Sequence, residues 1–205
     1  TEAFAGAGYP DCEALLIVEV EGAEAEIDHQ LGLITQIARR HDPVEVREAA
    51  DEDEAARIWK GRKSAFGAMG QMGDYICLDG TIPVSELPGV LGRIGDLSAE
   101  FGLRVANVFH AGDGNMHPLI LFDANAPGQL ETAEALGAEI LKACVAAGGC
   151  LTGEHGVGVE KRDLMDHQFA PADLAALGAD VPVCMAPGPA RMRGIGEVVE
   201  PLAAL

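Results

Sequence analysis

The dipeptide Asp113-Gly114, within NVFHAGDGNMHPLILFD (107–123), constrains this chain more than any other feature. Asp-Gly between two β-rich runs is a strong two-residue hairpin signal, because both central residues of that turn need positive φ. With those two residues as the turn, Gly112 pairs with Asn115, Ala111 with Met116, and His110 with His117. Directly opposed residues of an antiparallel pair point to one face, with Cβ atoms about 4.5–5.5 Å apart. The spacing therefore predicts two imidazoles side by side. That arrangement suits one divalent cation, since neutral imidazole is the commonest protein metal ligand. The alternative is two unrelated histidines near a loop. A register slip of one residue would send them to opposite faces.

A third ligand is offered by GGCLTGEHGVGVEKRD (148–163), where Glu154 and His155 stand between glycines. Neighbouring side chains on extended backbone face opposite ways. One of the pair can join His110 and His117 while the other faces a different pocket, and the spacing does not say which. Two histidines and one carboxylate leave coordination positions open, as a catalytic site requires. The competing reading is a glycine loop carrying a solvated acid and a solvated histidine. HExxH, GxSxG and P-loop motifs do not occur, so metalloprotease, α/β-hydrolase and nucleotide-cradling functions lack their signatures.

Periodicity supplies the surrounding elements. ALLIVEVEG (14–22) reads as a strand. EAEIDHQLGLITQIARR (24–40) reads as a helix, with Ile27, Leu31, Ile34, Ile37 and Ala38 at helical spacing. Acidic residues lead it and Arg39 and Arg40 close it, the order a helix dipole favours. Residues 51–66 predict a second helix with Ala55, Ile58, Trp59 and Phe66 on its apolar side. DYICLDG (74–80) is strand-like; Ser85 then caps a helix whose stripe is Leu87, Val90, Leu91, Ile94 and Leu97, ended by Gly102. LRVANVFH and MHPLILFD are strands, and 129–149 is a long helix with a glycine pair at its C-terminal end. The order strand, helix, helix, strand, helix, strand, strand, helix predicts an α+β fold, a largely antiparallel sheet with helices packed on it. From Leu177 the sequence turns Gly- and Pro-rich, so the domains read as 1–176 and a tail, 177–205. That tail is divergent or frame-shifted, and either poorly ordered or an extended segment needing a partner surface.

Composition narrows the function. A net charge of −19 argues against nucleic acid and anionic membrane as partners. No apolar run approaches the roughly 20 residues that span a bilayer. The chain opens at Thr1 without a basic-then-apolar signal, which predicts a cytoplasmic protein, or a fragment or processed product of one. The five cysteines are scattered with no CxxC pair. They read as buried free thiols rather than an iron–sulfur or zinc knuckle held by this chain alone.

WKGRKSAF (59–66), DYICLDGTIP (74–83), RVANVFHAGDGNMHPLILFDAN (104–125) and GEHGVGVEKRDLM (153–165) closely resemble the C-terminal domain of the FAD-linked oxidases. That family includes glycolate oxidase and the D-lactate and D-2-hydroxyglutarate dehydrogenases, and its glycolate oxidase members are the most similar. The resemblance covers about residues 1–175. It implies a ferredoxin-like α+β fold and oxidation of a small 2-hydroxy acid, glycolate or D-lactate, with hydride transfer to FAD. It implies that His110, His117 and Glu154 bind a divalent metal (Zn, Mn, Fe or Co) and that His155 is the general base. Arg62 in WKGRK aligns with a substrate-clamping arginine, with Lys60 and Lys63 as weaker claimants; a surface helix arginine is the other reading. Asn115 supports the turn or approaches the flavin. The implied partners are a flavin-binding domain, an iron–sulfur subunit, peripheral inner-membrane attachment through such subunits, and further copies of the chain. No glycine-rich flavin cradle occurs in residues 1–205, and the family's closing FDPDGLLNPGK-like segment has no counterpart after FAPADLAAL. FAD is therefore expected to be held mainly by a domain absent from this chain. The alternative function is a non-catalytic remnant or assembly module, with a metal-dependent hydrolase behind both.

Overall fold

The computed structural model describes residues 1–177, 190–193 and 198–201, with side chains described as far as Leu174. Most of the Gly/Pro-rich tail, residues 178–189, 194–197 and 202–205, lies outside the described residues. The chain divides into two compact units, Thr1–Gln71 and Met72–Leu205.

The first unit is helical: α1 (Glu2–Ala5), α2 (Glu24–Arg39), α3 (Glu52–Lys63) and α4 (Ala65–Gly70). The Glu2 carboxylate accepts the N–H groups of Ala7, Gly8 and Tyr9, and the Tyr9 hydroxyl donates to the Ile58 carbonyl on α3. The start of α3 is doubly satisfied. Asp51 accepts the Glu54 N–H at 2.8 Å while the Glu54 carboxylate accepts the Ala50 N–H at 2.8 Å. The helix predicted over 51–66 breaks at Ser64 and resumes as α4. ALLIVEVEG is not a strand: residues 14–20 have no ladder partner among the described residues, and Leu16 is 74% exposed. A strand needs a partner for its backbone groups, and apolar alternation alone does not supply one. The helix α2 forms where its periodicity places it, yet none of its residues is buried.

The second unit holds the sheet. Strands β1 (Asp74–Cys77), β5 (Pro118–Phe122) and β3 (Val105–Asn107) form an antiparallel sheet in the order β1-β5-β3. Beside it, β2 (Gly80–Thr81) pairs antiparallel with β4 (Asn115–Met116). The pairings Asp74↔Phe122 and Gly80↔Met116 share one register, so β1 and β2 are two stretches of one ladder interrupted near Asp79. Helices α5 (Leu87–Phe101) and α6 (Gln129–Ala146) pack on each other and α6 covers β5 and β2. Their apolar stripes close the core through Val90, Ile94 and Leu97 with Leu136, Ile140 and Cys144, over Leu78, Met116 and Ile120. Ser85 does not cap α5; it lies inside a short 3₁₀ turn, Val84–Glu86, that leads into the helix. Gly102, at φ 68°, does end it in the left-handed conformation. The short helices α7 (Met165–Gln168) and α8 (Pro171–Leu177) follow, and β6 (Ala190–Arg193) and β7 (Val198–Pro201) pair antiparallel. Among the described residues no helix is long and apolar enough to cross a membrane.

Cys12, Cys77, Cys144 and Cys150 are free thiols, but only Cys144 is buried, which corrects the expectation of uniformly buried cysteines; Cys184 lies outside the described residues. Burial pushes the Cys144 thiol up to about 11. Iodoacetamide at pH 8 is therefore expected to modify exposed Cys150 in the native chain and to reach Cys144 only after denaturation. Peptide mass mapping checks this, and native labelling of Cys144 at the rate of Cys150 would contradict the packing described.

Candidate metal and substrate site

The hairpin carrying both histidines forms in a different register from the one its Asp-Gly dipeptide predicts. Val105↔Ile120, Asn107↔Pro118 and the isolated bridge His110↔Asn115 lie on one ladder. The connection is thus Ala111–Gly114, not Asp113-Gly114 alone, and His110 opposes Asn115 rather than His117. Pairing with β2 decides the shift. The Gly114 carbonyl accepts the Ile82 N–H at 2.9 Å, and Asn115 pairs with Thr81. Gly114 adopts φ 70°, and a Cβ there would run into the Ile82 carbonyl. The displacement is two residues, an even number, so it keeps both histidines on one face as diagonal neighbours. Their ring centroids stand 5.7 Å apart at an interplanar angle of 83°.

His117 is 4% exposed and anchored. Its Nδ1 lies 3.0 Å from the Leu78 carbonyl oxygen, which can only accept. The neutral ring therefore carries its proton on Nδ1 and presents a lone pair at Nε2, the tautomer selection typical of an imidazole ligand. Nε2 lies 3.8 Å from the Glu154 Oε2. The His155 ring stacks on His117, centroids 5.3 Å apart and planes 13° from parallel. His110, Glu154 and His155 are solvent-exposed, so the site is a buried imidazole with an open front.

The glycine loop is fastened from beneath by a residue to which the sequence reading assigns no role. Asp79, wholly buried, accepts the Thr152 hydroxyl at 2.7 Å and the N–H groups of Gly153, Glu154 and His155 at 3.0, 3.0 and 2.8 Å. The Lys161 ammonium, 5% exposed, completes the group 3.2 Å from Asp79 and 3.1 Å from the Thr152 hydroxyl. Burial alone would raise the Asp79 carboxyl. The Glu154 N–H, the Thr152 hydroxyl and the His155 and Gly153 N–H groups more than offset it and hold the group well below the usual carboxylate range. The sequence signal was the acid inside the strand-like run DYICLDG, since a charge at a buried position has to be paired. Gly153 is required by contact: a Cβ there would lie 2.8 Å from Thr81 Cγ2 and 2.9 Å from Asn115 Oδ1.

Two overlapping donor sets share His117. In each of His110/His117/Glu154 and Asp79/His117/His155 the donor atoms lie within 4.8 Å of one another. Asp79 already accepts five donors, one of them the buried Lys161 ammonium that offsets its charge, which makes the trio it belongs to the poorer cation site. The first set, two imidazole nitrogens and one exposed carboxylate, fits a divalent transition metal. Asn115 sits in β4 just beyond the turn, 5% exposed, with its Oδ1 buried and without a hydrogen-bond partner. Arg62 belongs to the first unit, on α3, with its guanidinium carbon 5.8 Å from the Phe66 ring centroid.

Comparison with known proteins bears on what this site does. Residues 1–179 match the family described as FAD linked oxidases, C-terminal domain. Over 180 residues the chain is 51% identical to glycolate oxidase subunit GlcD of Escherichia coli K12, covering 87% of this chain and 36% of that protein. GlcD of Bacillus subtilis is 31% identical over 180 residues, 87% of this chain and 38% of that protein. The mitochondrial D-lactate dehydrogenase [cytochrome] of Kluyveromyces lactis is 31% identical over 162 residues, 76% of this chain and 28% of that protein. The chain thus spans little more than a third of the length of the first two relatives.

Proposed function

We propose, since this chain belongs to the FAD linked oxidases, C-terminal domain family, that it is the substrate- and metal-binding part of a flavin-dependent 2-hydroxy-acid oxidoreductase. The convergence of His110, His117 and Glu154, on a turn and a loop far apart in sequence, carries this reading. When bound, a divalent ion (Zn, Mn, Fe or Co) supplies Lewis acidity toward the hydroxyl and carboxylate of the substrate, and FAD supplies the two-electron acceptor.

The chain's own residues supply the rest. His117, fixed through Leu78, and His110 and Glu154 in front of it hold the ion. Oxidation of a 2-hydroxy acid to the 2-oxo acid removes a hydride from Cα and a proton from the hydroxyl, and His155 takes the proton at an imidazole nitrogen. Arg62 offers the substrate carboxylate paired donors in a planar fork. Asn115, whose Oδ1 is buried without a hydrogen-bond partner, supports the turn or approaches the flavin. Glycolate and D-lactate both fall within the substrate class, because one methyl group is worth only about 1–3 kcal/mol of discrimination. The word "subunit" in the names of two relatives supports an assembly partner. The motif resemblance makes those partners a flavin-binding domain and an iron–sulfur subunit.

Metal content tests the reading. After equilibration with Zn(II) or Mn(II) and gel filtration, the wild-type chain is expected to retain stoichiometric metal. A His110→Ala, His117→Ala double variant is expected to retain none. Equal occupancy in both, by elemental analysis, would remove the metal site.

A further inference from the structure

We propose that Asp79, together with Thr152 and Lys161, is the positioning group that places Glu154 and His155 on their two tasks and keeps the cation off the wrong ligand set. The inference rests on the reading of His110, His117 and Glu154 as ligands and His155 as base. A loop carrying Gly153, Gly156 and Gly158, the last two at φ 82° and 55°, does not fix its own side chains. What fixes it is a single buried carboxylate. Three consecutive N–H groups, from Gly153, Glu154 and His155, converge on Asp79 and curl the backbone around it. Glu154 is thereby directed to within 3.8 Å of His117 Nε2, and His155 onto the His117 ring face.

The ion pair of Asp79 with Lys161 has a second effect. Asp79, His117 and His155 have donor atoms as close together as the proposed ligand set does. Were the carboxylate free, a cation would be drawn to that deeper trio, and His155 would be lost as a base. The Lys161 ammonium, 3.2 Å from the carboxylate, offsets its charge and repels a second cation, and the Thr152 hydroxyl and the three N–H groups hold the carboxylate toward the loop, which disfavours that trio. Asp79 therefore touches neither substrate nor metal; it acts through the loop.

Thr152 gives a mild test, because valine keeps its size while deleting a hydroxyl that both donates to Asp79 and accepts from Lys161. The 205-residue chain is titrated with Co(II) alone, following the d–d absorption, and amide hydrogen exchange is read at residues 153–155. Outer-shell partners of metal ligands typically contribute about 10–100-fold in affinity. Thr152→Val is expected to weaken Co(II) binding by about 10-fold or more, alter the d–d band and speed exchange at the three amides. Thr152→Ser is expected to restore all three. Wild-type affinity, spectrum and exchange in Thr152→Val would overturn the positioning role while leaving the metal site standing. A wild-type chain that binds no more Co(II) than the His110→Ala, His117→Ala variant would instead fail the site reading, and this inference with it.

Discussion

The Asp79→Ala variant is expected to lose about 3–5 kcal/mol of stability, because it strands the Lys161 ammonium in the interior and takes the carboxylate acceptor from the amides of Glu154 and His155, while the Gly153 amide keeps the backbone carbonyl of residue 79. Domains of ordinary stability have only about 5–15 kcal/mol to lose. The natural probe is Cys144, buried in the core of the same unit, whose alkylation across a urea series reports unfolding there. Trp59, the single tryptophan, belongs to the first unit and does not report on it. The pH dependence has a definite sign. A carboxyl held below its ordinary range stabilises the fold fully above the unfolded value of about 3.9, and progressively less as pH falls toward the folded value. The stability gap between wild type and variant is therefore expected to be widest near neutrality and to shrink below about pH 4. A gap that is absent at pH 7, or that grows on acidification, would show that Asp79 is not the stabilising charge.

In flavin-loaded enzyme, His155→Ala is expected to lower kcat by about 10²–10⁴-fold, the usual cost of losing a general base. His155 stacks on His117 and lies outside the proposed ligand set, so metal content is expected to stay at the wild-type level. That separates a lost base from a lost ligand, since His117→Ala is expected to lower both. Arg62→Met supplies the contrast in the same assay: a carboxylate clamp that binds ground and transition states alike raises KM with little change in kcat. An unchanged kcat in His155→Ala would remove His155 from the mechanism. An unchanged KM in Arg62→Met would return that side chain to the role of a helix arginine beside Phe66.

The helices show how far periodicity reaches. α5 was legible from its apolar stripe and closing glycine, and α6 from its length and terminal glycine pair; Val90, Ile94 and Leu97 of the α5 stripe are buried, and Leu87 and Leu91 pack half-buried against the core. The stripe of α2 was equally legible, yet nothing in its pattern tells that the helix has no buried residue. ALLIVEVEG has the composition of a strand and no partner among the described residues, because pairing is a property of two segments. At the site, the two histidines were found from one turn and a count of residues, although the turn was two residues longer than counted.

The sequence by itself determined what depends on parity and period: which face a residue takes on a strand or helix, and so the shared side of His110 and His117. A displacement of two could not undo that, because side-chain alternation repeats every two residues. Only the tertiary structure decided the register, through the bond from Ile82 to Gly114. It also turned Glu154 rather than His155 toward His117 Nε2, with the loop that carries them fastened to a carboxylate 75 residues earlier in the chain. Local alternation is written in neighbouring residues; a buried charge and the distant groups that satisfy it meet only after the chain has folded.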